Sequence, residues 1–106
     1  MLQQIDRANL QNLLLQEEVI LVDFYADWCG PCQSLLPTLE KVSQDFTGRA
    51  TIAKINVDKN PELSAEYGVR SIPALFYFKK GKLAGKQSGL QSETMITQTL
   101  DNLLAN

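Results

Sequence analysis

The two cysteines of the chain, Cys29 and Cys32, are separated by two residues. They follow the apolar stretch Val19–Phe24, whose near-continuous apolar composition is typical of a strand buried on both faces. A Cys-x-x-Cys pair where such a strand meets a helix is typical of a dithiol that cycles between reduced and disulfide forms. One helical turn brings the two sulfurs within bonding distance, and the positive end of the helix favours thiolate over thiol. The pair therefore predicts thiol–disulfide exchange.

Two other readings of the pair remain open, a structural disulfide and half of a metal site. A bond closing so small a loop restrains the unfolded chain very little. A tetrahedral metal site would need two further ligands, and the chain contains no histidine. The absence of histidine also excludes Cys–His and Ser–His nucleophile pairs. Any proton transfer near neutral pH must therefore use a perturbed carboxylate, thiol or amine.

Length and charge narrow the class of protein further. A chain of 106 residues is long enough for one domain, expected over residues 1–106, with a substantial core. The net charge of −2 gives no electrostatic footprint for nucleic acid or for an anionic membrane. We see neither a signal-peptide pattern at the start nor an apolar segment of membrane-spanning length. We therefore expect a cytoplasmic protein, in a compartment where thiols stay reduced.

The sequence predicts strands and helices in the order β-α-β-α-β-α-β-β-α. Asp6, Asn60 and Ser92 are predicted helix caps, and Lys80-Gly81 a hairpin turn. This order implies an α/β fold whose sheet is covered on both faces, with a parallel part first and a hairpin at the end. The predicted strands cover residues 2–5, 19–24, 51–57, 74–78 and 82–88, and the predicted helices cover residues 6–16, 29–46, 60–68 and 92–104.

Burial is predicted from the spacing of apolar residues. The second helix should be kinked by Pro37, which lies inside its apolar pattern. The last helix should bury a stripe made of Met95, Ile96, Leu100, Leu103 and Leu104. Phe24, Tyr25, Phe76 and Phe78 are expected in the core, and Asp27, Asp58, Lys79, Lys80 and Lys82 on the solvated surface.

Several segments together resemble the thioredoxin family over essentially the whole chain. They are Val22–Cys32 with its Trp-Cys-Gly-Pro-Cys run, then Pro37, Ala53–Asp58, Tyr67–Leu75 and Gly89. The resemblance implies the thioredoxin fold, a central mixed sheet of about five strands flanked by four helices. Three residues depart from the common family pattern, and none is expected to touch the reacting atoms. The missing lysine at Gln33 should slightly weaken thiolate stabilisation at Cys29, and Gln33 and Ala74 should alter client preference. Tyr25, Gln33 and Ala74 stand where many members have Trp, Lys and Thr.

The resemblance implies different roles for the two cysteines. Cys29 would be the exposed nucleophile that attacks a client disulfide, and Cys32, more buried, would resolve the mixed disulfide. Asp23 lies within an apolar strand, so desolvation should raise its pKa toward the range where it can accept a proton from Cys32. The family places Lys54 near Asp23, where it would limit the cost of burying the charge. Asp23 as a purely structural group and Lys54 as a surface lysine remain open.

A client-binding surface around Cys29 is also implied by the resemblance. The Ile72-Pro73 bond should be cis, which would leave the Ile72 backbone free to pair with an extended client strand. Gly30 should leave the approach to Cys29 unobstructed. Trp28 as a core residue, Pro73 as a trans turn proline and Gly89 as a plain turn glycine are the alternatives. The expected surface comprises Trp28, Gly30, Pro31, Ile72, Pro73 and Gly89.

These features together predict a general protein-disulfide reductase, an electron carrier in cell redox homeostasis. The resemblance implies disulfide-containing client proteins and a thioredoxin reductase as electron donor. No bound cofactor or metal is expected, beyond the redox-active disulfide itself, and the protein should be a monomer that binds neither nucleic acid nor membrane. The alternatives are a thiol oxidant or isomerase on the same fold, or a binding or chaperone module whose activity does not depend on redox chemistry.

Overall fold

The computed structural model describes residues 2–105, so both ends of the predicted domain 1–106 lie outside the described residues. The elements follow the predicted order. The first strand is shorter than predicted, two residues rather than four. The strands are β1 (Gln3–Gln4), β2 (Val19–Tyr25), β3 (Thr51–Asn56), β4 (Ala74–Lys79) and β5 (Lys82–Ser88), and the helices are α1 (Arg7–Gln16), α2 (Gly30–Asp45), α3 (Pro61–Glu66) and α4 (Glu93–Ala105).

The strands form one mixed sheet in the order β1-β3-β2-β4-β5. β3 pairs in parallel with both β1 and β2, whereas β4 pairs antiparallel with β2 and β5 antiparallel with β4. β2 is central, and all seven of its residues are buried, as expected for a strand with helices on both faces. The predicted mixed sheet flanked by helices is confirmed.

The two faces of the sheet carry separate apolar clusters. Val22 and Phe24 belong to the cluster that includes Leu10 of α1 and Leu63 of α3. Leu21 belongs to the other cluster, which includes Leu35 of α2 and residues of α4. Because side chains alternate along a strand, the residues two and four positions after Leu21 lie on the α2 face. These are Asp23 and Tyr25.

Two of the three predicted helix caps are confirmed. The Asp6 side chain accepts a hydrogen bond from the Asn9 N–H at 3.1 Å, and the Ser92 hydroxyl accepts one from the Met95 N–H at 3.1 Å. The third is wrong. The Asn60 side chain makes no cap hydrogen bond, and its amide donates instead to the backbone carbonyl of Asn56 at 3.0 Å.

The hairpin turn between β4 and β5 is also confirmed. Lys80 and Gly81 have φ values of 52° and 79°, and positive φ at both central residues defines the turn that matches the twist of the paired strands. The Lys80 N–H donates to the Glu18 carbonyl at 2.8 Å, which ties the turn to the start of β2. Pro37 lies inside α2 as predicted; the kink stays a prediction.

Met95 was expected in the buried stripe of α4, and this is wrong. Its side chain is 47% exposed, whereas Ile96 and Leu100 are fully buried. Successive helical residues are about 100° apart, so a face centred on Ile96 and Leu100 leaves Met95 at its edge. Leu103 and Leu104 are partly buried against the cluster on this face.

Lys79 was expected on the surface, and its side chain is only 15% exposed. Its ammonium lies 3.9 Å from a carboxylate oxygen of Glu18 and donates a hydrogen bond to the Leu103 carbonyl near the end of α4. The final carbonyls of a helix have no partner within the helix. Lys79 is therefore only partly exposed because its ammonium binds a carbonyl near the end of α4.

Candidate active site

The two cysteines lie at the start of α2, just after β2. Cys29 is the N-cap residue of the helix and Cys32 lies in its first turn. They are joined in a disulfide with their Cα atoms 5.2 Å apart. The Cys32 N–H donates a hydrogen bond to the Cys29 Sγ at 3.2 Å. The sulfur of Cys29 therefore accepts one of the N–H groups that a helix leaves unpaired at its first turn.

Cys29 was expected to be exposed, and this is wrong. The residue is only 6% exposed, and Cys32 is completely buried. Ala26 and Ile72 pack around the pair, and the Cys29 Sγ lies 3.8 Å from the Ile72 carbonyl oxygen. The predicted order of burial, with Cys32 the deeper of the two, is confirmed. A client sulfur must therefore approach Cys29 along the narrow part of its surface that is open.

The Ile72-Pro73 peptide bond is cis, as the resemblance implied. Pro73 is buried and Ile72 half-buried. The Gly89 N–H donates to the Pro73 carbonyl at 2.8 Å. Gly89 has a φ of 82°, a backbone conformation that residues with a Cβ adopt only with strain. Gly89 therefore ties the end of β5 to the cis-proline loop, which supports the turn-glycine reading without excluding contact with a client.

Trp28 is at the surface and not in the core, with 72% of its area exposed. Its indole N–H donates a hydrogen bond to the carboxylate of Asp58 at 2.8 Å. Sequence reasoning assigned Asp58 to the solvated surface and missed this contact. A signal was available, because Asp58 closely follows β3 as Trp28 follows β2, and the carboxyl ends of neighbouring parallel strands meet at one edge of a sheet.

Gly30 and Pro31, between the cysteines, are both exposed. A Cβ added at Gly30 would meet no atom within 4 Å, so this residue leaves space beside the disulfide. Gln33, one of the departures from the family pattern, reaches back to the loop before Cys29. Its amide lies 3.5 Å from the Ala26 carbonyl and 3.4 Å from the Asp27 carbonyl.

Asp23 is fully buried, and neither of its carboxylate oxygens has a hydrogen-bond partner within the described part of the chain. Burial raises the pKa of Asp23 from 3.8 to about 7, and the charge of Lys54 acts in the opposite direction. Desolvation therefore has a larger effect on the pKa of Asp23 than the charge of Lys54, a comparison that the sequence alone could not decide. A carboxyl group that ionises near pH 7 is suited to accept a proton at physiological pH.

Lys54 is the partner of Asp23 in the β2–β3 pairing and is half-buried. Its ammonium lies over the ring of Tyr25, 5.0 Å from the ring centroid. Tyr25 in turn packs against Ala26 and both cysteines. The sequence therefore identified Lys54 as a neighbour of Asp23. It did not show that the Tyr25 ring contacts the Lys54 ammonium and belongs to the same cluster as the cysteines.

The fold brings the predicted residues together in two groups. Cys29, Cys32 and Ile72 are in contact around the disulfide, and Asp23 and Lys54 are paired on the face of the sheet that α2 covers. Over residues 2–105 we find no group of three or more acidic, cysteine or histidine side chains arranged to hold a metal ion. None of the helices in that range is long and apolar enough to span a membrane.

The chain matches known proteins along almost its whole length. The thioredoxin family model matches residues 1–102. The chain is 43% identical to a thioredoxin from Chlorobaculum thiosulfatiphilum, covering 91% of this chain and 89% of that protein. It is 37% identical to thioredoxin 1 from Nostoc sp., with 93% and 92% covered.

A solved structure agrees with the fold. A mutant thioredoxin from Halobacterium salinarum NRC-1 superposes with a TM-score of 0.92 at 36% identity, covering 97% of this chain and 90% of that one. An α/β sheet with this topology, a Trp-Cys-Gly-Pro-Cys disulfide at a helix start and these matches together identify the chain as a member of the thioredoxin family.

Proposed function

We propose that the chain is a general protein-disulfide reductase that carries two electrons on the Cys29–Cys32 pair. The observation that supports this most directly is the disulfide at the start of α2, with the Cys32 N–H directed at the Cys29 Sγ. A hydrogen-bond donor at a helix N-terminus stabilises the thiolate, which is the reacting form of cysteine. The family membership supports the same activity.

The reaction takes place in two exchanges. The Cys29 thiolate attacks one sulfur of a client disulfide, and the other client sulfur leaves as a thiolate that takes a proton from solvent. Cys32 then loses its proton and attacks the Cys29 Sγ, which breaks the bond to the client and releases the second client thiolate. The client gains two electrons and two protons, and the Cys29–Cys32 disulfide seen in the structure is the product.

Asp23 is the group that we assign to take the proton from Cys32. Along β2 it lies between Leu21, which packs with residues of α2, and Tyr25, which packs against the cysteines. With its pKa raised to about 7 by burial, it is partly ionised at neutral pH. No histidine is present to do this work. An ionised Asp23 accepts the proton and later returns it to solvent.

The client surface that we propose surrounds Cys29. Trp28, Gly30 and Pro31 provide exposed apolar area on one side. On the other side the Ile72 carbonyl oxygen lies near the sulfur, and Pro73 follows Ile72 and accepts a hydrogen bond from Gly89. An extended client segment that pairs with the backbone of Ile72 would place its disulfide at Cys29. Such a surface selects for extended backbone rather than for particular side chains.

We assign the chain as a single thioredoxin domain over residues 1–106, a cytoplasmic monomer that needs no bound cofactor and is re-reduced by a thioredoxin reductase. The family match over residues 1–102 supports the domain assignment, and the family in general supports disulfide clients and a reductase.

The test is reduction of a disulfide-containing protein by the wild type, Cys29→Ser and Cys32→Ser. Cys29→Ser should abolish activity. Cys32→Ser should accumulate a mixed disulfide with the client, visible by mass spectrometry, because attack by Cys29 is retained and release is lost. Retained biological activity in Cys29→Ser would instead indicate a redox-independent binding module.

The reduction potential of the pair separates a reductase from an oxidant. Thioredoxin itself has a potential of about −270 mV, and an isomerase about −180 mV. Equilibration in defined thiol–disulfide buffers should give a value near the first or lower. A value near or above the second would assign the chain to oxidative folding.

A further inference from the structure

Four residues form a square on the face of the sheet that lies under α2. Asp23 and Tyr25 are two positions apart on β2, and their partners on β3 are Lys54 and Asn56 respectively. In a parallel pair, partners share a face, and residues on the diagonal are within reach of long or aromatic side chains. Lys54 is thus the lateral neighbour of Asp23 and the diagonal neighbour of Tyr25.

The Lys54 ammonium follows the diagonal. It lies 5.0 Å from the centroid of the Tyr25 ring, within the range of a cation–π interaction. The Asp23 oxygens have no hydrogen-bond partner in the described residues, so the ammonium remains outside hydrogen-bonding distance of the carboxylate. Lys54 therefore acts on Asp23 through space, from a position that the aromatic ring defines.

The Tyr25 ring is itself held in place. It is buried and packs against Ala26, Cys29 and Cys32. Asn56, its partner on β3, is buried as well. A ring held by this packing offers a fixed surface to the flexible four-carbon side chain of a lysine.

We propose that Tyr25 is a positioning residue, whose ring holds the Lys54 ammonium at the place from which its charge acts on the Asp23 carboxylate. Removing the ring frees the lysine to extend into solvent, where water screens its charge. The proposal rests on the proposed function in one respect, the use of Asp23 as the proton acceptor for Cys32. It concerns a position at which this chain departs from the common family pattern.

The other groups considered near Asp23 do not supply a positive charge that acts on its carboxylate. Cys32, in the first turn of α2, carries no charge in the disulfide or as a thiol. From β4 the partner of Asp23 is Leu75, which carries no charge. Asp27, beyond Tyr25, acts on the tyrosine with negative charge. Lys54 is thus the positive group whose position matters here.

The test is a double-mutant cycle on the titration of Asp23 in the oxidised protein. The midpoint is read directly from the carboxyl carbon by NMR in the wild type, Tyr25→Leu, Lys54→Met and the double variant. Tyr25→Leu should raise the midpoint by about half a pH unit, and Lys54→Met by at least as much, because each removes the effect of the same positive charge. In the Lys54→Met background, Tyr25→Leu should add nothing.

Tyr25→Phe is the matched control. It keeps the ring and removes the phenol, so it should leave the midpoint within about 0.2 unit of the wild type. If Tyr25→Leu does not fold, Tyr25→Met provides a longer side chain without a ring for the same cycle. Equal shifts from the loss of the ring in both backgrounds would overturn the proposal, since they would reflect altered solvation of Asp23. An unchanged midpoint in Tyr25→Leu would overturn it as well.

A second readout separates this inference from the proposed function. The rate of client release from the mixed disulfide is measured against pH in Tyr25→Leu and in Asp23→Asn. The midpoint of the Tyr25→Leu rate profile should move with its NMR midpoint. If Asp23→Asn leaves the release rate unchanged while the NMR cycle behaves as expected, Asp23 is not the acceptor, and the role of Tyr25 in holding Lys54 stands.

Discussion

The indole of Trp28 donates a hydrogen bond to the carboxylate of Asp58 across the two loops that follow β2 and β3. The tryptophan ring is otherwise largely exposed, and a large aromatic group at a surface has several accessible rotamers. The bond therefore selects one orientation of a ring adjacent in sequence to the nucleophilic cysteine. Asp58 therefore orients a ring of the proposed client surface.

Removing the acceptor should weaken client binding more than it weakens the fold. We expect Asp58→Leu to raise the KM for a protein disulfide by about 2- to 5-fold with a small change in kcat, as lost orientation of one hydrogen-bonded side chain implies. Asp58→Asn keeps an acceptor oxygen and should remain within about 2-fold of the wild type. If both variants raise KM to the same extent, the charge of Asp58 matters and its hydrogen bond does not.

Asp23→Asn should slow the release of mixed disulfides and not their formation. Amide replaces the proton acceptor, so release near neutral pH should fall by roughly 10- to 100-fold, in line with general-base catalysis. The wild-type release rate should rise through about pH 7 as Asp23 ionises, and the variant should lack this rise. Stopped-flow measurement of both steps with one client checks the prediction. A comparable slowing of formation would mean that the substitution disturbs Cys29 itself.

The same carboxyl group makes the fold less stable as pH rises. In the unfolded chain Asp23 ionises near its ordinary pKa of 3.8, and in the folded chain burial raises the pKa to about 7. Between these values the folded protein holds a proton that the unfolded chain has lost. The contribution of Asp23 to the free energy of unfolding is therefore greatest below about pH 4, falls as pH rises, and levels off above about pH 7, a loss on the order of 4 kcal/mol.

Urea unfolding of the oxidised protein at about pH 4.5 and about pH 8 checks this sign. Asp23→Asn should remove most of the decrease and be more stable than the wild type at the higher pH. Asp101→Asn, on the exposed surface of α4, is the control and should keep the wild-type slope. An equal change in stability between the two pH values in the wild type and in Asp23→Asn would contradict the assignment.

Gly89→Ala should destabilise the fold although no atom stands in its way. An added Cβ meets nothing within 4 Å at this position, yet the φ of 82° is strained for any L-residue with a side chain. We expect a loss of about 1–2 kcal/mol in the free energy of unfolding. Gly30→Ala, with the same open space but no positive φ, should be neutral or slightly stabilising. Equal losses at both sites would show that space, not backbone conformation, limits substitution.

The sequence predicted the order of the elements, the sheet class and the position of the cysteine pair. These follow from local patterns, such as the apolar run of β2 and the spacing of Cys29 and Cys32, that tertiary structure rarely overrides. Met95 and Lys79 were misplaced for different reasons. A helical stripe gives a direction but not its width, and a lysine becomes covered only once the end of α4 is beside it.

The position of the cysteine pair and the cis Ile72-Pro73 bond were predicted correctly, and the contacts of the groups around them less well. Asp23 was recognised because a carboxylate stands out in an apolar strand. The contacts of Asp58 with Trp28 and of Tyr25 with Lys54 depend on the register between strands and the direction of side chains. Neither is encoded in any short stretch of sequence, and both require the completed sheet.

The hydrogen bond from the Cys32 N–H to the Cys29 sulfur sets two properties of the protein in opposite directions. A donor that stabilises the thiolate increases the fraction of protein ready to attack a client. The same stabilisation favours the dithiol over the disulfide, which makes the pair a weaker reductant. A single donor at the helix cap is a compromise between speed of attack and driving force. Variants of the Gly30-Pro31 dipeptide that direct more N–H groups at the Cys29 sulfur would attack clients faster. They would also be weaker reductants.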